Sequence, residues 1–145
     1  MIALLQRVSS ASVSVDGEVV GAIDRGLLVL AAVHRDDQDR DIARLAERIL
    51  TYRVFPDPAG RMNRSLLDEQ FGLLLVPQFT LAADTGKGTR ASFTKAAEPS
   101  KGEQYFLRLV ETCRQQIPVV ETGRFGATMQ VTLTNDGPVT FWLES

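Results

Sequence analysis

Gly26-Leu27-Leu28-Val29-Leu30-Ala31-Ala32-Val33 contains no polar side chain. A strand with one wet face alternates apolar and polar residues. An unbroken apolar run of this length, rich in branched side chains, therefore predicts a strand covered on both faces. Such a strand belongs in the middle of a sheet with helices on at least one side. A second run of the same kind, Gly72-Leu73-Leu74-Leu75-Val76, leads into Pro77-Gln78-Phe79-Thr80-Leu81.

Between the two runs, Asp36 and Asp37 offer N-caps for a helix that puts Ile42, Leu45, Ala46, Ile49 and Leu50 on one stripe, with Arg40, Arg44, Glu47 and Arg48 outward. Arg53-Val54-Phe55 reads as a short strand ended by the turn formers Pro56-Asp57-Pro58-Ala59-Gly60. After the second run, Ser100 with Glu103 matches a capping box. Tyr105, Phe106, Leu109, Val110 and Cys113 follow at helical spacing, and this second helix stops before Pro118. Upstream of the first run, Ala11–Val15 and Glu18–Ile23 flank Asp16-Gly17, the signature of a tight hairpin. Downstream of the second helix, Val119–Thr122, Ala127–Thr134 and Val139–Leu143 read as strands. Strands alternating with two amphipathic helices predict an α/β fold, and residues 1–145 form one domain.

Composition narrows the chemistry. The chain carries a net charge of −2, so any contact with nucleic acid must be local rather than a property of the whole surface. The Gly-rich, basic stretch Asp84–Lys95, with Lys87, Arg90 and Lys95, suits phosphate contacts, and a solvated loop explains it equally. One cysteine and one histidine leave no disulfide and no zinc site. Cys113 sits on the apolar stripe and reads as core. His34 follows the buried run in a charged loop with no G-x-S-x-G serine nearby, and neither nucleotide-binding glycine fingerprint is present. No apolar stretch is long enough to span a bilayer and no secretory leader is visible, so a cytoplasmic location is the expectation.

Two stretches remain as candidates for function. At Gln78-Phe79-Thr80 a buried strand leaves the sheet, freeing backbone amides that can stabilise an oxyanion. The Thr80 hydroxyl has no visible base to activate it, and capping the strand end is an equal reading. At Asn135-Asp136-Gly137-Pro138-Val139-Thr140, an X-Pro bond is of the kind able to adopt the cis form and turn neighbouring carbonyls toward one amine, while an ordinary hairpin turn remains the alternative.

Together these segments resemble the D-aminoacyl-tRNA deacylases of the bacterial and eukaryotic type. The likeness runs the length of the chain. It is carried by Gln6-Arg7-Val8, Ala11-Ser12-Val13, Gly26–Val29, Arg53-Val54-Phe55, Met62-Asn63 with Ser65-Leu66, Gln78–Leu81, Glu121–Ala127 and Asn135–Thr140. The resemblance implies a curved, barrel-like mixed sheet and a homodimer with active sites at the interface. It also implies hydrolysis of D-aminoacyl-tRNA, and of glycyl-tRNA mischarged on tRNA(Ala), without metal or other cofactor.

By the same resemblance, Gln78, Phe79 and Thr80 are catalytic, chiefly through backbone amides. Gly137 and Pro138 enter the partner's site, hold the α-amino group and exclude L side chains. Phe125 contacts the terminal adenosine, and Met129 shapes the pocket or simply packs. The terminal ribose hydroxyl assists the attack, which accounts for the missing histidine base. One departure stands out: Pro77 occupies the place where the family usually has Ser, removing a hydroxyl and an N–H and implying a strand unpaired on one side. A dimer that binds RNA without turnover is the alternative.

Overall fold

The computed structural model describes residues 1–145. Its elements are β1 (Ile2–Val15), β2 (Glu18–Ile23), β3 (Gly26–Ala32), α1 (Asp39–Thr51), β4 (Phe55–Pro56), β5 (Met62–Arg64), α2 (Leu66–Glu69), β6 (Gly72–Pro77), α3 (Pro99–Arg114), β7 (Val120–Thr122) and β8 (Gln130–Glu144). A single 3₁₀ turn, Phe79–Ala82, follows β6. The main sheet is mixed and runs β2-β1-β3-β6-β7, with β8 along the other side of β1; β4 and β5 make a small separate ribbon.

The apolar run at 26–32 is the central strand, as its composition predicts. β3 pairs antiparallel with Ile2–Val8 of β1 and parallel with β6. Its side chains alternate between two cores. Leu27 and Val29, with Leu73 and Leu75 of β6, pack under α1 and α3, whereas Leu28, with Leu74 and Val76, joins Val8, Val13 and Ile23 inside the curl of the sheet. The curl nearly closes into a barrel because β2 folds back toward β7. A Cβ on Gly21 would stand 2.6 Å from the Thr122 carbonyl oxygen, so glycine is what permits the approach.

All five predicted stripe residues of α1 are buried. Neither aspartate caps it, however: the N-cap is Gln38, whose N–H donates to the Asp41 carboxylate at 2.7 Å. Asp37 is instead engaged by the Met1 ammonium at 2.8 Å and the His34 N–H at 2.7 Å. α3 likewise begins earlier than the capping box at Ser100 suggests. Pro99 takes its first turn, where a missing N–H costs nothing, and Ser100 lies inside the helix.

The largest correction concerns the C-terminus. Residues 130–144 form one strand, not two strands joined by a hairpin, and both of its arms lie antiparallel on β1. Val8 faces Asn135 and Gln6 faces Thr140, so Asp136–Val139 bulge out opposite the single residue Arg7. The Gly137-Pro138 bond within the bulge is cis.

Candidate active site

β3 and β6 run parallel, so their carboxyl ends lie side by side, the usual place for a site in such sheets. There they open into a cavity of about 470 Å³. Ala31, Ala32, Val76 and Pro77 line it from the strands, Val33 from just past β3, and Gly102 and Phe106 from α3. Phe125, Met129, Gln78 and Phe79 also line it, so four residues singled out by sequence come together here. Gln78 is the only residue around the cavity with a polar side chain, and none there carries a titratable one.

Local geometry at the end of β6 follows from Pro77. The Gln78 N–H donates to the Ala31 carbonyl at 2.8 Å and ends the ladder with β3, so this amide, expected to be free for an oxyanion, is already occupied. β7 pairs only with Leu73–Leu75, which leaves Pro77 without a strand on that side, as its lack of an N–H predicts. The chain then winds into the 3₁₀ turn, closed by the Leu81 N–H donating to the Gln78 carbonyl at 3.2 Å. Phe79 and Thr80 begin that turn, where amides have no acceptor within the helix. The Gln78 side-chain amide donates to the Thr80 hydroxyl. Thr80 itself does not line the cavity.

Phe125 and Met129 are held by packing. The Phe125 ring lies over Gly102, where an added Cβ would come within 3.3 Å of it, and the Met129 sulfur accepts the Arg124 N–H at 3.3 Å. The part played by α3 is not visible in the spacing of its apolar stripe; Gly102 in its first turn is the one available signal.

Gly137 and Pro138 do not line this cavity. Their bulge is fastened beside Gln6–Val8, midway along β1. Asn135 accepts the Val139 N–H at 2.7 Å and donates to the Thr140 hydroxyl at 2.8 Å. Arg7 donates through Nε to the Asp136 carbonyl at 2.9 Å and through a terminal nitrogen to the Val54 carbonyl at 2.7 Å.

The basic loop flanks the cavity on the side of Phe79, whose ring lies 5.2 Å from that of Phe93. Asp84 organises the loop. It accepts the Gly86 N–H at 2.9 Å and pairs with Lys95 at 3.5 Å, and these two contacts, the amide first, hold its carboxyl below the ordinary value. Lys95 is thus partly neutralised, whereas Lys87 and Arg90 are exposed and form no ion pair.

Residues 4–144 match the family model described as D-Tyr-tRNA(Tyr) deacylase. The D-aminoacyl-tRNA deacylase of Alkalilimnicola ehrlichii is 63% identical over the whole of this chain and 97% of the relative. That of Pseudomonas aeruginosa is 61% identical over the full length of both. Among solved structures, one titled c-Myc DNA Unwinding Element Binding Protein superposes with a TM-score of 0.96 at 38% identity, covering 100% of this chain and 99% of that one. A structure titled as a probable eukaryotic D-amino acid tRNA deacylase has a TM-score of 0.86 over 99% and 98% of the two chains; at 18% identity it speaks for the fold alone.

Proposed function

The chain belongs to the D-Tyr-tRNA(Tyr) deacylase family, and from that premise we propose that it hydrolyses the ester of D-aminoacyl-tRNA. One observation carries the reading: the cavity is walled almost wholly by apolar side chains, with no acid or base in it, and Phe79 in its lining opens the 3₁₀ turn. Such a site suits a reaction whose substrate brings its own hydroxyl. Water attacks the ester carbonyl, the terminal ribose hydroxyl relays the proton, and the bond to the ribose oxygen breaks to give free amino acid and tRNA. The amides of Phe79 and Thr80 stabilise the developing oxyanion, an effect in which one lost donor costs roughly 2.7–4 kcal/mol. Gln78 positions the turn through the Thr80 hydroxyl, Phe125 receives the terminal adenosine, and Met129 shapes the pocket.

In this reading Gly137 and Pro138 enter the cavity of a second copy, hold the α-amino group and leave an L side chain no room. Their absence from the lining of their own cavity and the fastening of their bulge support an action in trans. Exclusion by clash costs a glycyl ester nothing, so glycyl-tRNA(Ala) is accepted as well. Lys87 and Arg90, with Lys95 in a lesser part, meet tRNA phosphates. No cofactor is required, and the setting is the cytoplasm, where aminoacyl-tRNA is found.

The test is D-tyrosyl-tRNA ending in adenosine against the same tRNA ending in 2′-deoxyadenosine. The deoxy substrate should turn over roughly 10²-fold more slowly or worse, the usual range for losing a proton-transfer partner. Equal rates would overturn substrate assistance. Thr80→Ala should reduce activity only in part; complete loss with binding intact would give Thr80 a direct role. RNA binding without turnover is the second reading, favoured by Pro77, which puts a ring where the family usually has a hydroxyl. It predicts tight binding and no product.

A further inference from the structure

Phe79 and Phe93 are 58% and 45% exposed, an unusual placement for two phenyl rings lying side by side. The rings are tilted by 51° and do not stack flat on one another, so face area remains open to solvent. Phe79 is itself part of the cavity lining, and Phe93 lies against it.

The segment that presents Phe93 is fastened. Asp84 and Ser92 exchange backbone hydrogen bonds of 2.7 and 3.0 Å, and Arg35 donates to the Thr94 carbonyl at 3.3 Å. Phe93 is therefore offered from a preformed support rather than from a free loop. Lys87 and Arg90 on the same segment have charges with no carboxylate partner. Exposed aromatic faces beside unpaired cations are the combination that binds single-stranded nucleic acid, one element for the bases and the other for the phosphates.

We propose that the Phe79–Phe93 pair is a stacking platform for the nucleobase that precedes the esterified adenosine, with Lys87 and Arg90 on the adjoining phosphates. The inference rests on the reading that the cavity holds the 3′-terminal ester. In this proposal an RNA strand leaving that cavity on the side of Phe79 passes the two rings, with the cations of the 84–95 segment for its phosphates. Stacking tolerates any base, which suits an enzyme that must accept many tRNAs.

The experiment uses two substrates, D-tyrosyl-tRNA and the D-tyrosyl ester of adenosine alone, with the wild-type protein, Phe93→Ala and Phe93→Trp. Phe93→Ala should raise KM for the tRNA roughly 5- to 100-fold, the range for removing one aromatic stacking partner, and leave kcat/KM for the adenosine ester unchanged. Phe93→Trp should restore the tRNA KM. Equal losses on both substrates would mean that the ring only supports the cavity, and no loss on either would mean that no base stacks there. A change in sedimentation of Phe93→Ala would assign the ring to contact with a second copy. Each of these three results overturns the platform.

A turnover-independent arm separates this inference from the deacylase reading. Uncharged tRNA should bind Phe93→Ala more weakly by the same factor, and undiminished binding would sink the platform whatever the catalytic result. Failure of the wild-type protein to cleave either ester would instead sink the deacylase reading.

Discussion

Asn135 and Arg7 show how much a few side chains decide. Asn135 satisfies one N–H and one hydroxyl of the bulge, and Arg7 reaches from β1 to both Asp136 and Val54. Asn135→Ala should leave a folded protein weakened by about 0.5–1.5 kcal/mol, the usual net worth of a hydrogen bond whose groups water can reach. It should lose activity on the D-ester more than it loses stability. Denaturant titration beside turnover checks this, and unchanged turnover would detach the bulge from function. Cys113 makes the opposite case. Burial pushes its thiol up to about 12, so iodoacetamide at about pH 8 should label it only after unfolding. The core role of Cys113 is legible from its stripe. The Arg7 clamp is not, because its partners lie 47 and 129 residues away and no local pattern encodes them.

Elements were the most readable scale, because periodicity is a local property. The two apolar runs, the Asp16-Gly17 hairpin and the buried stripe of α1 all follow from it. What periodicity misses is competition for a side chain. Asp37 is a good cap by type, but the ammonium of Met1 and the His34 amide already occupy it. The long β8 is missed because Asn, Asp, Gly and Pro signal a turn equally well at a hairpin and at a bulge. Close strand contact predicts one sharp result. A Cβ at Gly26 would fall 1.9 Å from the Gly72 carbonyl oxygen, so Gly26→Ala should cost about 3 kcal/mol or more, or prevent folding, by forcing β3 and β6 apart. Thermal unfolding measures it.

Charge links the helices in a pH-dependent way. The Arg108 guanidinium, as hydrogen-bond donor and neighbouring charge, holds the Asp39 carboxyl below its ordinary value of 3.8. Amide donors do the same for Asp41 and Asp68. A carboxyl whose value is lowered by folding contributes stability that is present above the unfolded value and lost as pH falls through the folded one. The melting temperature should therefore hold from neutrality down to about pH 4 and drop below it. A fall beginning near neutrality would contradict this assignment.

At the scale of the whole molecule, β8 is the exposed feature. It pairs with β1 alone, so the other edge of a 15-residue strand is free, and Val131 and Trp142 on it are 37% and 50% exposed. Long free edges invite pairing, which fits the proposed dimer, and sedimentation should give twice the 15.9 kDa chain mass. The near-neutral charge makes tRNA affinity a local matter. Lys87→Ala with Arg90→Ala should reduce the salt dependence of tRNA binding by roughly one unit of log–log slope per cation removed. Barrel closure and the separation of Gly137-Pro138 from its own cavity are properties of the folded whole. Sequence suggests them only by family resemblance.

Chirality tests the account most directly. D-tyrosyl-tRNA and L-tyrosyl-tRNA should be offered side by side to the purified protein in chelator. Rapid loss of the D-ester with the L-ester intact is the predicted result. Cleavage of both at similar rates, or of neither while tRNA still binds, would contradict it.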